Sequence, residues 1–202
     1  MRKYITEFIG TFFLVLIIML TGKPIVIGSV LMGMVYAGWH ISGAHYNPAV
    51  TLAVLLRGKI GVSDAIQYII VQLAGAIVAV LIASWILGYP DVASLNLDGK
   101  IAQAVVAEII GTFALVFVVL NVAIAKSTAG NSFYGLAIGF TVFALTEGFG
   151  TISGGAFNPA VAFGLTFSKA FEWTNIWIYL VGCFGGAAIA ALVFRSMNPE
   201  DK

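Results

Sequence analysis

The chain has few charged residues: aspartate, glutamate, lysine and arginine together make up 9% of its 202 residues. A soluble domain carries about 25% charged and roughly 45–50% apolar residues, whereas 60% of this chain is apolar. A soluble globular enzyme and a disordered chain are therefore excluded, because each needs far more polar surface. The formal net charge of +1 also excludes a nucleic-acid binder, since it provides no positive field to attract phosphates.

Cysteine and histidine are also scarce. The single cysteine, Cys183, excludes a disulfide framework and a thiolate metal site. The two histidines, His40 and His45, do not make a zinc site without a third ligand. No Ser/His pair, Asp dyad or His/Glu metal motif occurs at a useful spacing on an apolar segment, so we expect no enzyme, no metal and no cofactor. A lipid bilayer is the solvent that suits this composition.

Several apolar runs are long enough to cross a bilayer, which takes about 20 predominantly apolar residues in a helix. Six segments meet this requirement: 4–21, 25–43, 64–87, 102–125, 133–150 and 174–195. Little of the chain remains outside these segments. The sequence therefore predicts a single transmembrane domain over residues 1–202, with no room for a soluble domain.

The basic residues between the spans favour one orientation, because cytoplasmic loops are enriched in lysine and arginine. With the N-terminus inside, the cytoplasmic segments hold Arg2, Lys3, Arg57, Lys59, Lys126, Arg195 and Lys202, and the outer segments hold Lys23, Lys100 and Lys169. We therefore expect an integral multi-pass protein of the cell membrane with both termini in the cytoplasm.

The two halves of the chain, approximately residues 1–87 and 102–195, repeat one another. The segment Ile41–Val50 (ISGAHYNPAV) returns as Ile152–Val161 (ISGGAFNPAV). Each half contains three spans, so the second half is inverted relative to the first. Inverted repeats of this kind place a site at their interface, near the bilayer midplane.

Two further matches support the repeat. The segment Glu7–Phe12 (EFIGTF) returns as Glu108–Phe113 (EIIGTF), and Gly75 in the third span is matched to Gly185 in the sixth. Three matches in the same order are not expected by chance. The sequence therefore predicts inverted three-helix repeats.

Each copied segment contains an Asn-Pro-Ala triplet; the two triplets are Asn47, Pro48 and Ala49 in the first half and Asn158, Pro159 and Ala160 in the second. Asparagine is a favoured helix N-cap and proline suits the first helical position, so each triplet predicts a helix start. These helices would end near Leu56 and Phe167, which makes them too short to span the membrane. We expect two half-helices that enter the membrane and return; tight turns between helices are the alternative interpretation.

Non-helical backbone at membrane depth is tolerated only where it is buried in protein or lines a wet cavity. The glycine-rich limbs before the two triplets therefore predict a water-filled path with backbone carbonyls along it. The N-termini of the half-helices would meet at the midplane with their positive dipole ends facing each other. Asn47 and Asn158 would offer N–H donors to a passing molecule, and the positive ends would disfavour a cation or a proton there.

These motifs resemble those of the aquaporins, the major intrinsic protein family, from Glu7 through the sixth span. The segment His40–His45 (HISGAH) before Asn47 is also typical of the family's first half. The resemblance implies an all-α membrane protein with six transmembrane helices, two re-entrant half-helices and one pore per chain, assembled as a homotetramer. It implies passive flow of water or small neutral solutes across the lipid bilayer, without a cofactor.

The resemblance is incomplete at the family's constriction. Most members carry arginine directly after the second Asn-Pro-Ala, where this chain has Val161. Counting from the two asparagines places the other three constriction positions at Ile27, Thr146 and Gly155. We therefore expect a wider, more apolar constriction than in water-selective members, open to glycerol, urea, ammonia or hydrogen peroxide. The missing arginine also removes a cation barrier, and an apolar ring can slow water by dewetting.

Several polar residues lie within or beside the spans, where buried charges are costly and need partners. Glu7 and Glu108 either brace the re-entrant limb of their half by accepting hydrogen bonds or form a proton relay, and the repeat favours bracing. His40 and His45 flank the first limb, where they either hydrogen-bond its carbonyls or form a pH gate. Glu147 has no counterpart in the first half; it either adds negative potential at the outer mouth or pairs at a subunit contact.

Other functions remain open at this point. A secondary transporter also uses inverted repeats and broken helices, but it needs ligands for a coupling ion, and the sequence shows no polar cluster at the midplane. A poorly conducting structural member of the same fold is compatible with the apolar constriction.

Overall fold

The computed structural model describes residues 1–88 and 93–201, and this part of the chain folds into α-helices without a strand. The α-helices are α1 (Arg2–Thr21), α2 (Pro24–Ser42), α3 (Pro48–Leu56), α4 (Val62–Ile86), α5 (Ile101–Val119), α6 (Tyr134–Ser153), α7 (Pro159–Phe167) and α8 (Ile176–Met197). A short π-helix, Leu120–Ile124, extends α5, and 3₁₀ turns lie at Lys126–Thr128 and Trp173–Asn175.

Six of these helices are long and apolar enough to cross a membrane: α1, α2, α4, α5 with its π-helical extension, α6, and α8 with its preceding 3₁₀ turn. Their bounds agree with the six predicted spans to within a few residues. Each half has the same order of elements, which is two spans, a half-helix and a third span. The predicted fold class, six spans and two re-entrant half-helices in inverted repeats, is confirmed.

The two half-helices α3 and α7 have nine residues each and begin at the predicted prolines. Asn47 and Asn158 are extended N-caps, and their side chains accept the backbone N–H of Ala49 and Ala160 at 2.8 and 2.9 Å. Each cap pairs one of the free N–H groups at a helix start. The local sequence therefore fixes where each half-helix begins.

Glycines allow the spans to pack closely in equivalent pairs, α1 with α4 and α5 with α8. A Cβ at Gly75 would lie 2.6 Å from the carbonyl oxygen of Phe8, and one at Gly186 would overlap the carbonyl oxygen of Ile109. Gly185, by contrast, faces open space. The match of Gly75 to Gly185 is therefore wrong by one residue, because a single step turns a helical side chain by about 100°. Gly186 is the structural equivalent.

Both chain ends lie on one face of the helix bundle. Near the N-terminus, the Lys3 ammonium pairs with the Asp64 carboxylate at the start of α4 at 2.6 Å. Near the C-terminus, Asp201 approaches Arg57 at the end of α3. Because α3 ends on the same face as α4 begins, this face carries both termini.

Candidate functional site

The tips of the two half-helices are joined by reciprocal hydrogen bonds. Asn47 Nδ2 donates to the carbonyl oxygen of Phe157 at 2.9 Å, and Asn158 Nδ2 donates to the carbonyl oxygen of Tyr46 at 2.9 Å. Each asparagine therefore bonds to the residue that precedes the other asparagine. This contact contradicts the alternative of two unrelated tight turns, because the two triplets meet in the interior of the bundle.

Each asparagine amide keeps one N–H group beyond these contacts. A carboxamide has two N–H donors, and one is used by the opposite carbonyl. Asn47 and Asn158 both line the cavity beside the helix tips. The spare N–H groups and the positive ends of α3 and α7 therefore supply donors and positive potential at this point of the cavity.

Tyr46 and Phe157 adopt a strained backbone conformation that aims their carbonyls at the opposite asparagine. Their φ angles are 50° and 46°, in the left-handed region, which costs about 1–2 kcal/mol for a residue with a side chain. The rings are held against glycines of the neighbouring span. A Cβ at Gly10 would overlap the Tyr46 ring, and one at Gly111 would overlap the Phe157 ring. This packing helps to hold the strained backbone in place.

Glu7 is fully buried and accepts hydrogen bonds along the first re-entrant limb. Its Oε1 accepts from Ser42 Oγ at 2.7 Å and from the His45 N–H at 2.9 Å. Its Oε2 accepts from the Tyr46 N–H at 2.6 Å and from Gln72 Nε2 at 2.9 Å. Because all four partners are donors, the contacts favour the bracing role over a proton relay.

Glu108 makes the equivalent contacts in the second half and is also fully buried. Its Oε1 accepts from Ser153 Oγ at 2.7 Å and from the Ala156 N–H at 3.0 Å. Its Oε2 accepts from the Phe157 N–H at 2.8 Å, with Cys183 Sγ at 3.5 Å. The two carboxylates therefore hold the two limbs in the same way.

A cavity of about 150 Å³ runs beside the helix tips, from Gly22 after α1 to Gly43 after α2, which lie at opposite faces of the bundle. Side chains of α1, α2, α5 and α6 form most of its apolar wall. All four predicted constriction residues line it: Ile27, Thr146, Gly155 and Val161. The structure therefore brings the four predicted constriction positions and both asparagines to one cavity.

Some predicted residues lie away from this cavity or make other contacts. His45 is buried, lines the cavity and pairs its Nδ1 with Thr51 Oγ1 at 3.0 Å. His40 is exposed at the end of α2, and no hydrogen bond joins it to the limb within the described residues. The contacts therefore give no support to bracing by His40. Glu147 is exposed on α6 and is absent from the described lining of the cavity, which favours a role outside it.

Several residues of the site were not singled out in the sequence. Tyr46 and Phe157 supply the carbonyls for the reciprocal bonds, and their shared position before the asparagines was a signal in the repeat. Gln72 is a buried amide within an apolar span, and its Nε2 also donates to Thr51 Oγ1 at 3.1 Å. An amide at the centre of a span was the signal that pointed to a polar partner.

Two inverted repeats whose half-helices meet beside a cavity between opposite faces define a membrane channel fold. The family model of the major intrinsic proteins matches residues 1–194, and the chain belongs to this family.

Individual relatives agree with this assignment. A glycerol uptake facilitator protein-like 6 of Lactiplantibacillus plantarum is 35% identical, with 100% of both chains covered. Aquaporin NIP1-1 of Zea mays is 35% identical over 100% of this chain and 76% of its own. The crystal structure of an aquaglyceroporin from Plasmodium falciparum superposes with a TM-score of 0.83 at 22% identity, covering 99% of this chain and 98% of the other. This last likeness supports the fold.

Proposed function

We propose that this chain is a passive channel for water and small neutral solutes, with no chemical step. The observation that carries the proposal is the continuous lining of the cavity past the joined half-helix tips. Among the described residues that form this lining, none is aspartate, glutamate, lysine or arginine. An uncharged path offers no compensation for a dehydrated ion, whereas the carbonyls and the asparagine N–H groups replace the hydration of a neutral solute.

The constriction supports a broader range of solutes than water alone. Gly155 and Val161 contribute little volume and no charge, and Ile27 adds an apolar wall. Glycerol, urea, ammonia and hydrogen peroxide are the solutes that we propose. Relatives named as a glycerol uptake facilitator and as aquaporins are in keeping with this range.

Stopped-flow measurements on proteoliposomes test the proposal, with water, glycerol, urea and ammonia compared in parallel. The Val161→Arg variant should reduce glycerol and urea flux strongly, because a long cationic side chain then enters the constriction. Val161→Leu is the matched control: it adds volume without charge and should reduce flux less. Wild-type flux no higher than that of empty liposomes would favour a poorly conducting structural member. Saturating flux that follows an ion gradient would favour a secondary transporter.

Proton exclusion is a separate part of the proposal. The dipoles of α3 and α7 and the two asparagine amides are proposed to exclude protons without a constriction arginine. A pH-sensitive dye inside the same proteoliposomes should report no faster proton entry than in empty ones. Rapid acidification would show that these positive ends are insufficient.

We also propose a homotetramer in the cell membrane with both termini in the cytoplasm. The single face that carries both chain ends also holds Arg57, Lys59 and Lys126, which agrees with the enrichment of basic residues on the cytoplasmic side. Mass measurement of the protein in nanodiscs tests the tetramer, and labelling of a cysteine added at position 2 in intact cells tests the orientation.

A further inference from the structure

A cluster of hydrogen-bond donors surrounds Asp201 on the face that carries both termini: the side chains of Arg57 and Lys59 and the main-chain N–H of Lys126. The Arg57 guanidinium donates through Nη2 to the main-chain carbonyl of Asp201 and lies 4.6 Å from the centre of the Phe194 ring. The Lys126 N–H donates to Asp201 Oδ2 at 2.8 Å, and Lys59 Nζ lies 3.9 Å from Asp201 Oδ1. The carboxylate therefore connects the link after α3 in the first half with the link after α5 in the second.

The Asp201 carboxylate fills this cluster incompletely. Its buried Oδ1 has no hydrogen-bond partner in the part of the chain that the structure describes, and it lies 3.9 Å from both Arg57 Nη2 and Lys59 Nζ, beyond hydrogen-bonding distance. Arg57 Nε is likewise buried without a partner among the described residues. Both side chains are nearly inaccessible, at 2% for Arg57 and 3% for Asp201. The cluster therefore has more hydrogen-bond donors than the one carboxylate uses.

A phosphate group matches what the carboxylate leaves unpaired. Free phosphate and a phosphate monoester carry about −1.5 to −2 charges and have at least three strong acceptor oxygens, against one charge and two oxygens for a carboxylate. Arginine binds phosphate through two parallel N–H groups, so the free Nε and the neighbouring Nη2 suit it. Lysine adds a point charge from the open side, where Lys59 is 34% accessible.

We propose that Arg57, Lys59 and the Lys126 N–H form a phosphate-binding site that the Asp201 carboxylate occupies in this structure. The ligand is free phosphate or the phosphate monoester of an anionic lipid headgroup. The segment from Asn198 to Asp201 acts as an internal competitor. It is a short turn after α8, with Asp201 N–H bonded to the Asn198 carbonyl at 3.1 Å, so its displacement leaves the helix bundle intact.

The experiment compares the Asp201→Asn variant with the wild type and with Glu200→Gln. Asp201→Asn removes the competing charge, and Glu200→Gln removes a neighbouring exposed charge whose side chain has no contact with the cluster in the described structure. In one arm, purified protein is titrated with inorganic phosphate at constant ionic strength and thermal unfolding is followed. In the other, native mass spectrometry counts the lipids retained from nanodiscs of phosphatidylcholine with or without phosphatidic acid, whose headgroup is a phosphate monoester.

Asp201→Asn should lower the Kd for phosphate, or raise the retention of phosphatidic acid, about tenfold relative to the wild type, the factor of one charge-assisted hydrogen bond. Glu200→Gln should match the wild type. A gain in the first arm alone identifies free phosphate as the ligand, and a gain in the second alone identifies the lipid headgroup. Equal behaviour of the two variants in both arms overturns the proposal.

A second variant makes the test independent of the folding of Asp201→Asn. Lys59 is partly exposed, so Lys59→Gln is tolerated structurally. As a single substitution, Lys59→Gln should weaken the binding of the same ligand that the wild type retains. Combined with Asp201→Asn, it should abolish the tighter binding that Asp201→Asn alone produces. Binding that is unchanged by Lys59→Gln also overturns the proposal.

Discussion

Replacing Glu108 with glutamine tests whether this side chain holds the second re-entrant limb. The carboxylate accepts three strong hydrogen bonds, two at Oε1 from Ser153 Oγ and the Ala156 N–H and one at Oε2 from the Phe157 N–H. Glutamine has the same shape, but one of its two terminal atoms becomes an NH₂ donor. In either orientation of the amide, at least one buried backbone N–H of the limb then faces another donor.

The size of the effect follows from this count. A buried donor left unpaired costs about 1–3 kcal/mol. The favoured orientation keeps the oxygen beside Ser153 and Ala156 and leaves only the Phe157 N–H without its acceptor. We therefore expect Glu108→Gln to destabilise the folded protein by about 1–3 kcal/mol. Phe157 also aligns the carbonyl that Asn47 binds, so solute flux should fall as well.

Thermal unfolding of the purified protein and stopped-flow glycerol flux measure these two effects. Glu200→Gln is the matched control, because it makes the same chemical change at an exposed position after α8. It should leave the unfolding temperature and the flux unchanged. An unfolding temperature and flux for Glu108→Gln equal to those of the control would refute the bracing role.

Two further substitutions test the packing and the helix tips. Gly186→Ala should destabilise the fold by about 1–3 kcal/mol, because the new Cβ overlaps the Ile109 carbonyl oxygen. Gly185→Ala is the control, since its Cβ faces open space and should not destabilise the fold. Thermal unfolding of the two variants measures the difference. Asn158→Asp should lower the unfolding temperature and raise cation conductance in proteoliposomes, because aspartate cannot donate to the Tyr46 carbonyl and adds a negative charge. Unaltered stability and conductance would contradict the proposed role of the amide.

The starts of the half-helices could be predicted to the residue and their ends approximately, since the signals are local. Asparagine before proline marks each start, and the Arg57-Gly58 pair marks the end of the first helix. The structure has these helices at Pro48–Leu56 and Pro159–Phe167. The bracing contacts of Glu7 and Glu108 were also foreseeable, because a buried charge repeated in both halves requires a repeated partner.

Contacts between distant segments could not be predicted in this way. Whether Gly185 or Gly186 is the equivalent of Gly75 depends on which side of α8 faces α5. The sequence pattern does not fix this side, so the predicted match was wrong by one residue. The pairing of Arg57 with Asp201 joins residues 144 positions apart. No periodicity or motif relates these two side chains, so only the packed structure reveals the cluster between them.

The two limbs are held by equivalent carboxylates but unequal sets of partners. In the first half, Gln72 Nε2 donates to both the Glu7 carboxylate and Thr51 Oγ1. His45 Nδ1 also forms a hydrogen bond with Thr51 Oγ1. In the second half the contact at the corresponding place on Glu108 is the thiol of Cys183, a weaker donor.

The more lightly braced limb carries Gly155 and leads into α7, which carries Val161, so two of the four predicted constriction residues lie on this re-entrant segment. The first limb fixes the position of the shared helix tips through a dense polar network. The second meets it through the reciprocal asparagine bonds and keeps small, uncharged side chains toward the cavity. The wide constriction that we propose needs no bulky side chains to hold the two limbs in place, because the hydrogen bonds of Glu7, Glu108 and the joined helix tips do so.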